Sequence, residues 1–407
     1  MSHEGAPARR SIRVRMTARD TQQEHRASTE LELLFDLTFV VAVASATAQL
    51  AHGIAEGHAT TVLAPFLQVF FAIWWAWMNF TWFASAYDTD DVLYRLMTML
   101  QMGGVLLLAA GVPAAVDGDY RAVTLGYLVM RIGLVAQWLR AAREHPESRE
   151  TALRYAAGIS VVQVGWLLRL WATDQGLVPT GWQVPLFGAL VVCELAVPVW
   201  AERPGSTAWH AEHIAERYGL FTIIVLGEGV LAASTGVQAA LGSRGVSGSL
   251  VVIAVAGLVL IFALWWLYFL EATGDALARH RDRSYLWGYA HYGIFVALAA
   301  LGAGLEVAVE QTGHHLTIPA TVVGYAVAVP VATYLALYWA VHAPIVDRPR
   351  VRPVLLLGAA AAVLVLPLAA ETVGAAPVVA GIAAICALVV AITVAAPREA
   401  VAPRPGG

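Results

Sequence analysis

Charge is scarce in this sequence and lysine is missing altogether. Asp, Glu, Lys and Arg make up 13% of 407 residues, and all 25 basic residues are arginine. Soluble domains carry about a quarter charged residues, so this chain has too few ionised groups to cover a water-facing surface. The net charge of −4 is small, and the arginines do not gather into a basic stripe, which excludes nucleic acid as a partner. Cysteine occurs only at Cys193 and Cys386, both inside apolar runs, so neither a disulfide framework nor a thiolate metal centre is expected. No phosphate-binding loop, dinucleotide fingerprint, GxSxG or HExxH is present, which disfavours an ATP-driven pump. Energy, if used, has to come from an ion gradient.

Apolar residues are abundant instead, at 59% of the chain with a mean hydropathy of +0.66. A window of about 20 residues, the length that crosses a bilayer, predicts twelve spans near 31–52, 65–87, 93–116, 121–143, 151–172, 182–200, 209–235, 248–271, 285–309, 317–341, 352–371 and 375–396. The predicted fold is therefore an all-α polytopic membrane protein, with the lipid bilayer as its first partner. The first run follows some thirty polar residues and is as long as a full span, so no cleavable signal peptide is expected. Segments 1–28 and 397–407 read as disordered tails. With the N-terminus cytoplasmic, that face receives Arg9, Arg10, Arg13, Arg15, Arg19 and Arg26, then clusters at 140–154, 279–283 and 348–352, then Arg398 and Arg404; the outer loops keep Arg121 and Arg244. This bias predicts both termini inside a bacterial-type plasma membrane.

The chain also reads as duplicated. FAIWWAW (71–77) matches FALWWLY (262–268) at an offset of 191, pairing Trp74 with Trp265 and Trp75 with Trp266, and Tyr94 matches Tyr285 at the same offset. Two copies of six spans share one orientation, since six is even. The expected organisation is a cytoplasmic Arg-rich tail (1–28), a first six-span repeat (29–204), a second in parallel orientation (205–396) and a tail (397–407), with a site at the repeat interface.

STELELLFDLTFVVAVA (28–44) and HIAERYGLFTIIVLGEGV (213–230) resemble the two signature stretches of the bacterial low-temperature-requirement A (LtrA) family of multi-pass membrane proteins. The matching residues are Glu32, Phe35, Asp36, His213, Glu216, Arg217, Gly219, Phe221, Gly227 and Glu228. The resemblance implies a membrane fold but no defined activity. It also implies a small hydroxyl residue after the last acid, where this chain has Gly229.

Glu32 and Asp36, four apart, share a helical face near the cytoplasmic end. One reading is charge complementation of a helix N-terminus with water in reach; the other is a buried site. His213 and Arg217 share a stripe on the seventh span with His210, while Glu212 and Glu216 share a neighbouring one. Arg217 is expected to pair with Glu32 or Asp36, because unpaired buried charge is costly. His210, His213 and Glu216 are also a candidate divalent-metal set, although the same spacing is common among solvated interfacial charges. No other cofactor is expected. Trp209 reads as an interfacial anchor.

Glu228 lies twelve residues beyond Glu216, about 18 Å along the helix. A carboxylate there costs roughly 2.5–3.5 kcal/mol at mid-membrane, so it is either a protonated, hydrogen-bonded structural acid or one that exchanges a proton or cation. Arg131, in the middle of the fourth span, needs an acid, and Glu194 and Glu228 are the candidates. His291 is a possible proton relay or a satisfied bundle histidine. Arg169 is expected to snorkel outward.

Two function classes follow. One is an ion- or proton-coupled transporter or permeation pathway for a small solute, using Glu32, Asp36, Arg131, Glu194, Glu216, Arg217, Glu228 and His291. The other is an intramembrane enzyme, an acid/base cyclase or isomerase with Asp36 and Glu228 acting on a lipid or isoprenoid. A soluble substrate favours the first; acids enclosed by Trp and Tyr favour the second. A membrane stress factor without turnover is the third reading.

Overall fold

The computed structural model describes residues 13–20, 27–242, 247–313, 316–347 and 349–396. The remainder of the two expected tails, together with Arg244 and Arg348, lies outside the described residues. These are all α, with no strand among them. The helices are α1 (Glu30–Ala55), α2 (Ala59–Tyr87), α3 (Val92–Val116), α4 (Arg121–Glu144), α5 (Arg149–Asp174), α6 (Thr180–Ala201), α7 (Ala211–Gly242), α8 (Gly248–Tyr268), α9 (Thr273–Arg279), α10 (Ser284–Gly313), α11 (Ala320–His342), α12 (Pro353–Val365), α13 (Ala370–Val373) and α14 (Ala375–Ala395).

Eleven helical segments among the described residues are long and apolar enough to cross a membrane; α7, at 32 residues, has the length of a twelfth. Helices answer the demand of hydrocarbon that every backbone N–H and C=O be satisfied within its own segment. The eleventh predicted span is broken: a 3-10 turn at Leu366–Ala369, containing Pro367, separates α12 from α13, because proline lacks the N–H that would continue the ladder. Large apolar side chains such as Leu37, Val161, Trp182 and Val354 are exposed, a surface suited to lipid and not to water.

The described residues pack as two compact units. One holds the chain up to Ile54, His58–Val225 and Leu277–Arg281; the other holds Ala55–Gly57, Leu226–Ala276 and the chain from Asp282. The division falls inside α7, after Val225, whereas the expected repeats divide before that helix.

In the first unit α3 packs on α4, α4 on α5 and α5 on α6, with α2 against α3 and α4. A Cβ on Gly104 would lie 2.7 Å from the Gly126 carbonyl oxygen, so glycine is what lets α3 and α4 approach backbone to backbone. In the second unit α10 packs on α11, α11 on α12 and α14, and α8 on α14. Gly304 plays the same part there, since a Cβ on it would run into the Ala326 carbonyl.

Part of the expected disordered tail is ordered. Residues 13–20 pack as part of the first unit, with Met16 fully buried. Val14 N–H donates to Asp91 (2.9 Å), Met16 N–H to Glu144 (2.7 Å) and Arg19 N–H to the Ala86 carbonyl (3.0 Å).

Candidate functional site

Helix α1 starts with a capping box: Thr29 N–H donates to Glu32 Oε2 (2.8 Å), and Glu32 N–H donates to Thr29 Oγ1 (3.3 Å). The other carboxylate oxygen, Oε1, lies 3.1 Å from His213 Nε2 and 3.1 Å from Arg217 NH1 on α7. One turn further along α1, Asp36 receives Arg217 through Nε to Oδ2 (3.0 Å) and NH2 to Oδ1 (2.6 Å), together with the indole N–H of Trp77 on α2 (2.7 Å). Arg217 thus spans two acids that one helical face aligns. The Trp77 ring packs on Tyr218 and Phe221. All four charged or titratable side chains of this cluster are buried, Asp36 the most exposed at 2%. Helix-terminal charge complementation with water in reach is therefore only half right: Glu32 does cap the helix, but water does not reach it.

A second buried pair joins α4 to α6. Arg131 NH2 donates to Glu194 Oε2 (3.0 Å) and to the Tyr127 hydroxyl. Glu194 also accepts from Trp75 Nε1 (2.8 Å), Tyr127 OH (2.8 Å) and Trp166 Nε1 (3.0 Å). Arg131 lies over the Tyr127 ring at 4.5 Å. Of the two acids expected as partners for Arg131, the structure supplies Glu194. Both carboxylate oxygens are saturated with donors, which is how a buried ion pair offsets its desolvation cost.

In the second unit Glu228 is buried on α7 at 7% exposure, within electrostatic reach of Glu306 on α10. Among the described residues it has no cationic partner. A Cβ on Gly229 would lie 2.9 Å from Ile261 Cδ1, so glycine in place of a hydroxyl residue gives room to α8. Gly227 borders open space. His291 is fully buried, with Nδ1 donating to the Trp287 carbonyl (2.7 Å) and Nε2 3.2 Å from the Tyr268 hydroxyl. Both of its nitrogens are occupied by neutral partners, as in a satisfied bundle histidine.

Several expectations need correction. His210, His213 and Glu216 do not converge: His213 turns to Glu32, His210 Nδ1 accepts the His213 backbone N–H at 3.4 Å, and Glu216 is exposed, taking the Ser28 N–H at 3.4 Å. Among the described residues no three His, Cys, Asp or Glu side chains are grouped to hold a metal ion. Trp209 is buried, packed on Trp82 and covered by Arg281 at 3.9 Å, and is not an exposed anchor. Arg169 does not snorkel; it is 8% exposed and sits among aromatic rings. One group was missed. Asp91 caps α3 through the Tyr94 N–H (2.9 Å) and binds Arg140 NH1 (2.8 Å), while Arg140 reaches Glu144 (3.2 Å) and Glu144 binds Arg13 (2.7 Å). Its one sequence signal is an aspartate directly before an apolar run.

Long apolar helices holding fully buried ion pairs define a multi-pass helical membrane protein. Residues 27–395 match the family model described as bacterial low temperature requirement A protein (LtrA), and the chain belongs to that family. It is similar to an uncharacterized protein of Rhizobium meliloti (strain 1021), 27% identical over 295 residues that cover 68% of this chain and 69% of the relative. No solved structure matches the chain.

Proposed function

We propose that this membrane protein is a proton-coupled carrier or permeation pathway for a small solute, seated in a bacterial plasma membrane with both termini cytoplasmic and built as two parallel six-span repeats. One observation carries the reading: the α1–α7 cluster sets two carboxylates, Glu32 and Asp36, against one guanidinium, with His213 3.1 Å from Glu32. Arginine keeps its proton, so the acids exceed the fixed cations by one. An uncompensated charge in a water-free site is costly, and a proton on His213 removes the excess. Releasing that proton leaves the cluster charged and favours an arrangement that admits water or a cation. This is the coupling that alternating access needs. Glu228 and Glu306, two acids with no cation paired to them among the described residues, are a second place where a proton can be held.

The test is proton flux in liposomes containing a pH-sensitive dye, comparing wild type with His213→Gln under an imposed gradient. Flux lost in a variant that still folds supports the reading. Equal flux in both, or none in either, moves the assignment to the enzyme reading, which has its own observation: Asp36 and Glu194 are enclosed by Trp77, Trp75, Trp166 and Tyr127. Against it, Glu194 is saturated with donors and Asp36 accepts three hydrogen bonds of its own, and lipid extracts would be assayed for turnover.

A further inference from the structure

Between α2, α4, α5 and α6 of the first unit lies a recess whose enclosed part is small, about 30 Å³, and which opens into a wider mouth, about 430 Å³ with the open space counted. Its walls are aromatic, including Phe71, Tyr120, Tyr127, Trp166 and Phe187, and one cation, Arg169, lies among them. Arg169 is 92% buried by its 8% exposure. Its guanidinium lies 5.5 Å over the Tyr120 ring and 5.4 Å over that of Phe187. Its Nε has no hydrogen-bond acceptor, and no carboxylate pairs with it among the described residues. The acids of the surrounding helices are spent elsewhere: Asp174 on Arg121 (3.0 Å) and Glu194 on Arg131 (3.0 Å).

A guanidinium cannot lower the cost of burial by losing its proton. Two aromatic faces offset part of that cost, but they leave the in-plane N–H donors unused. Those donors match a carboxylate or phosphate, which a guanidinium binds through two parallel hydrogen bonds. One cation calls for one negative charge. Walls of this composition call for an apolar body behind it.

We propose that this recess binds a monoanionic amphiphile, its carboxylate or phosphate head on Arg169 and its aromatic or aliphatic body against Phe71, Trp166 and Phe187. The site does not rest on the proton reading, because His213 takes no part in it. It does share two residues with the buried ion pair: Tyr127 and Trp166 line the recess and donate to Glu194. Occupancy of the recess is thereby felt by the Arg131–Glu194 bridge.

The test is equilibrium binding of radiolabelled benzoate, dodecanoate and the diester dodecyl methyl phosphate to the full chain in lipid nanodiscs, with empty nanodiscs subtracted. Neutral benzamide and dodecanol serve as controls. At least one acid binds, its neutral counterpart binds about tenfold more weakly or worse, and Arg169→Gln loses a similar factor, as expected for truncating one partner of a buried charge pair. Arg169→Lys retains part of the affinity, and Phe187→Ala weakens binding with the charge in place. Without ligand, Arg169→Gln melts at or above the wild-type temperature, since it removes an uncompensated charge. Benzoate binding points to a soluble acid as the source; binding of the long-chain anions alone points to a membrane lipid. No acid bound by wild type, or equal binding by wild type and Arg169→Gln, overturns the proposal.

Discussion

The same tryptophan pair does opposite things in the two halves of the chain. In FAIWWAW, Trp74 and Trp75 are buried at 1% and 0% exposure; at the matched places in FALWWLY, Trp265 and Trp266 are 43% and 48% exposed. Three residues beyond the first tryptophan, Trp77 donates to Asp36, whereas Tyr268 meets the neutral His291. An indole N–H that turns inward needs an acceptor. In the first half a neighbouring helix supplies an acid, Glu194 for Trp75 and Asp36 for Trp77. A shared motif therefore does not carry a shared role. Acids on adjoining helices hold the Trp75 and Trp77 indoles inward, and the buried ion pairs belong to the first compact unit alone among the described residues.

The largest test of that contrast is Arg217→Gln, which strands Glu32 and Asp36 without their guanidinium. The expected cost is about 3–5 kcal/mol, read as a fall in the midpoint of thermal or denaturant unfolding. Adding Asp36→Asn recovers most of it, because Glu32 and a protonated His213 then balance. In the second half Tyr268→Phe removes a hydrogen bond between neutral groups and costs about 1 kcal/mol. Equal losses from Arg217→Gln and Tyr268→Phe would break the distinction between the ion-paired first unit and the hydrogen-bonded contacts of the second.

Much of the first cluster is legible in the sequence. Glu32 and Asp36 share a face at a spacing of four, His213 and Arg217 do the same, and a charge at membrane depth demands a partner. Depth alone brings Arg131 and Glu194 together as candidates. Glu216 misleads because it adjoins Arg217 in sequence yet lies about 100° around the helix from it, so one is exposed while the other is buried. Arg169 misleads in the opposite sense: five residues from the end of its helix it is near enough to snorkel, and only the packing of Tyr120 and Phe187 around it turns it inward. Residues 13–20 are illegible for a third reason. Their order comes from backbone N–H groups of Val14 and Met16 docking on Asp91 and Glu144, partners 77 and 128 positions away that no local pattern announces.

A middle-sized effect separates the two tryptophan pairs directly. Trp75→Phe takes a donor from the buried Glu194 carboxylate, and hydrogen bonds to charged groups are worth about 1.5–3 kcal/mol. Trp266→Phe replaces one exposed apolar ring with another and is expected to stay within about 0.5 kcal/mol of wild type. Unfolding midpoints of the two variants, measured in the same detergent, check the difference. If Trp266→Phe proves as costly as Trp75→Phe, the exposed ring has a partner of its own and the two halves are more alike than their geometry indicates.

A pH-dependent effect is expected at the edge of the first unit, where charge meets the chain segment 13–20. Burial pushes the Asp91 carboxyl up, but hydrogen bonds from Arg140 and from the backbone N–H groups of Tyr94 and Val14 outweigh it and bring the pKa down to about 2. An aspartate in an unfolded chain titrates near about 3.9. The folded value is the lower one, so the ionised carboxylate stabilises the fold fully above about pH 4. That contribution is lost as pH falls through about 2. Asp91→Asn removes the charge at every pH. The gap in melting temperature between wild type and this variant should therefore be widest above pH 4 and close as pH approaches 2. A gap that stays constant across the range would mean that Asp91 holds the segment by its shape as a helix cap and hydrogen-bond acceptor, with its charge contributing nothing.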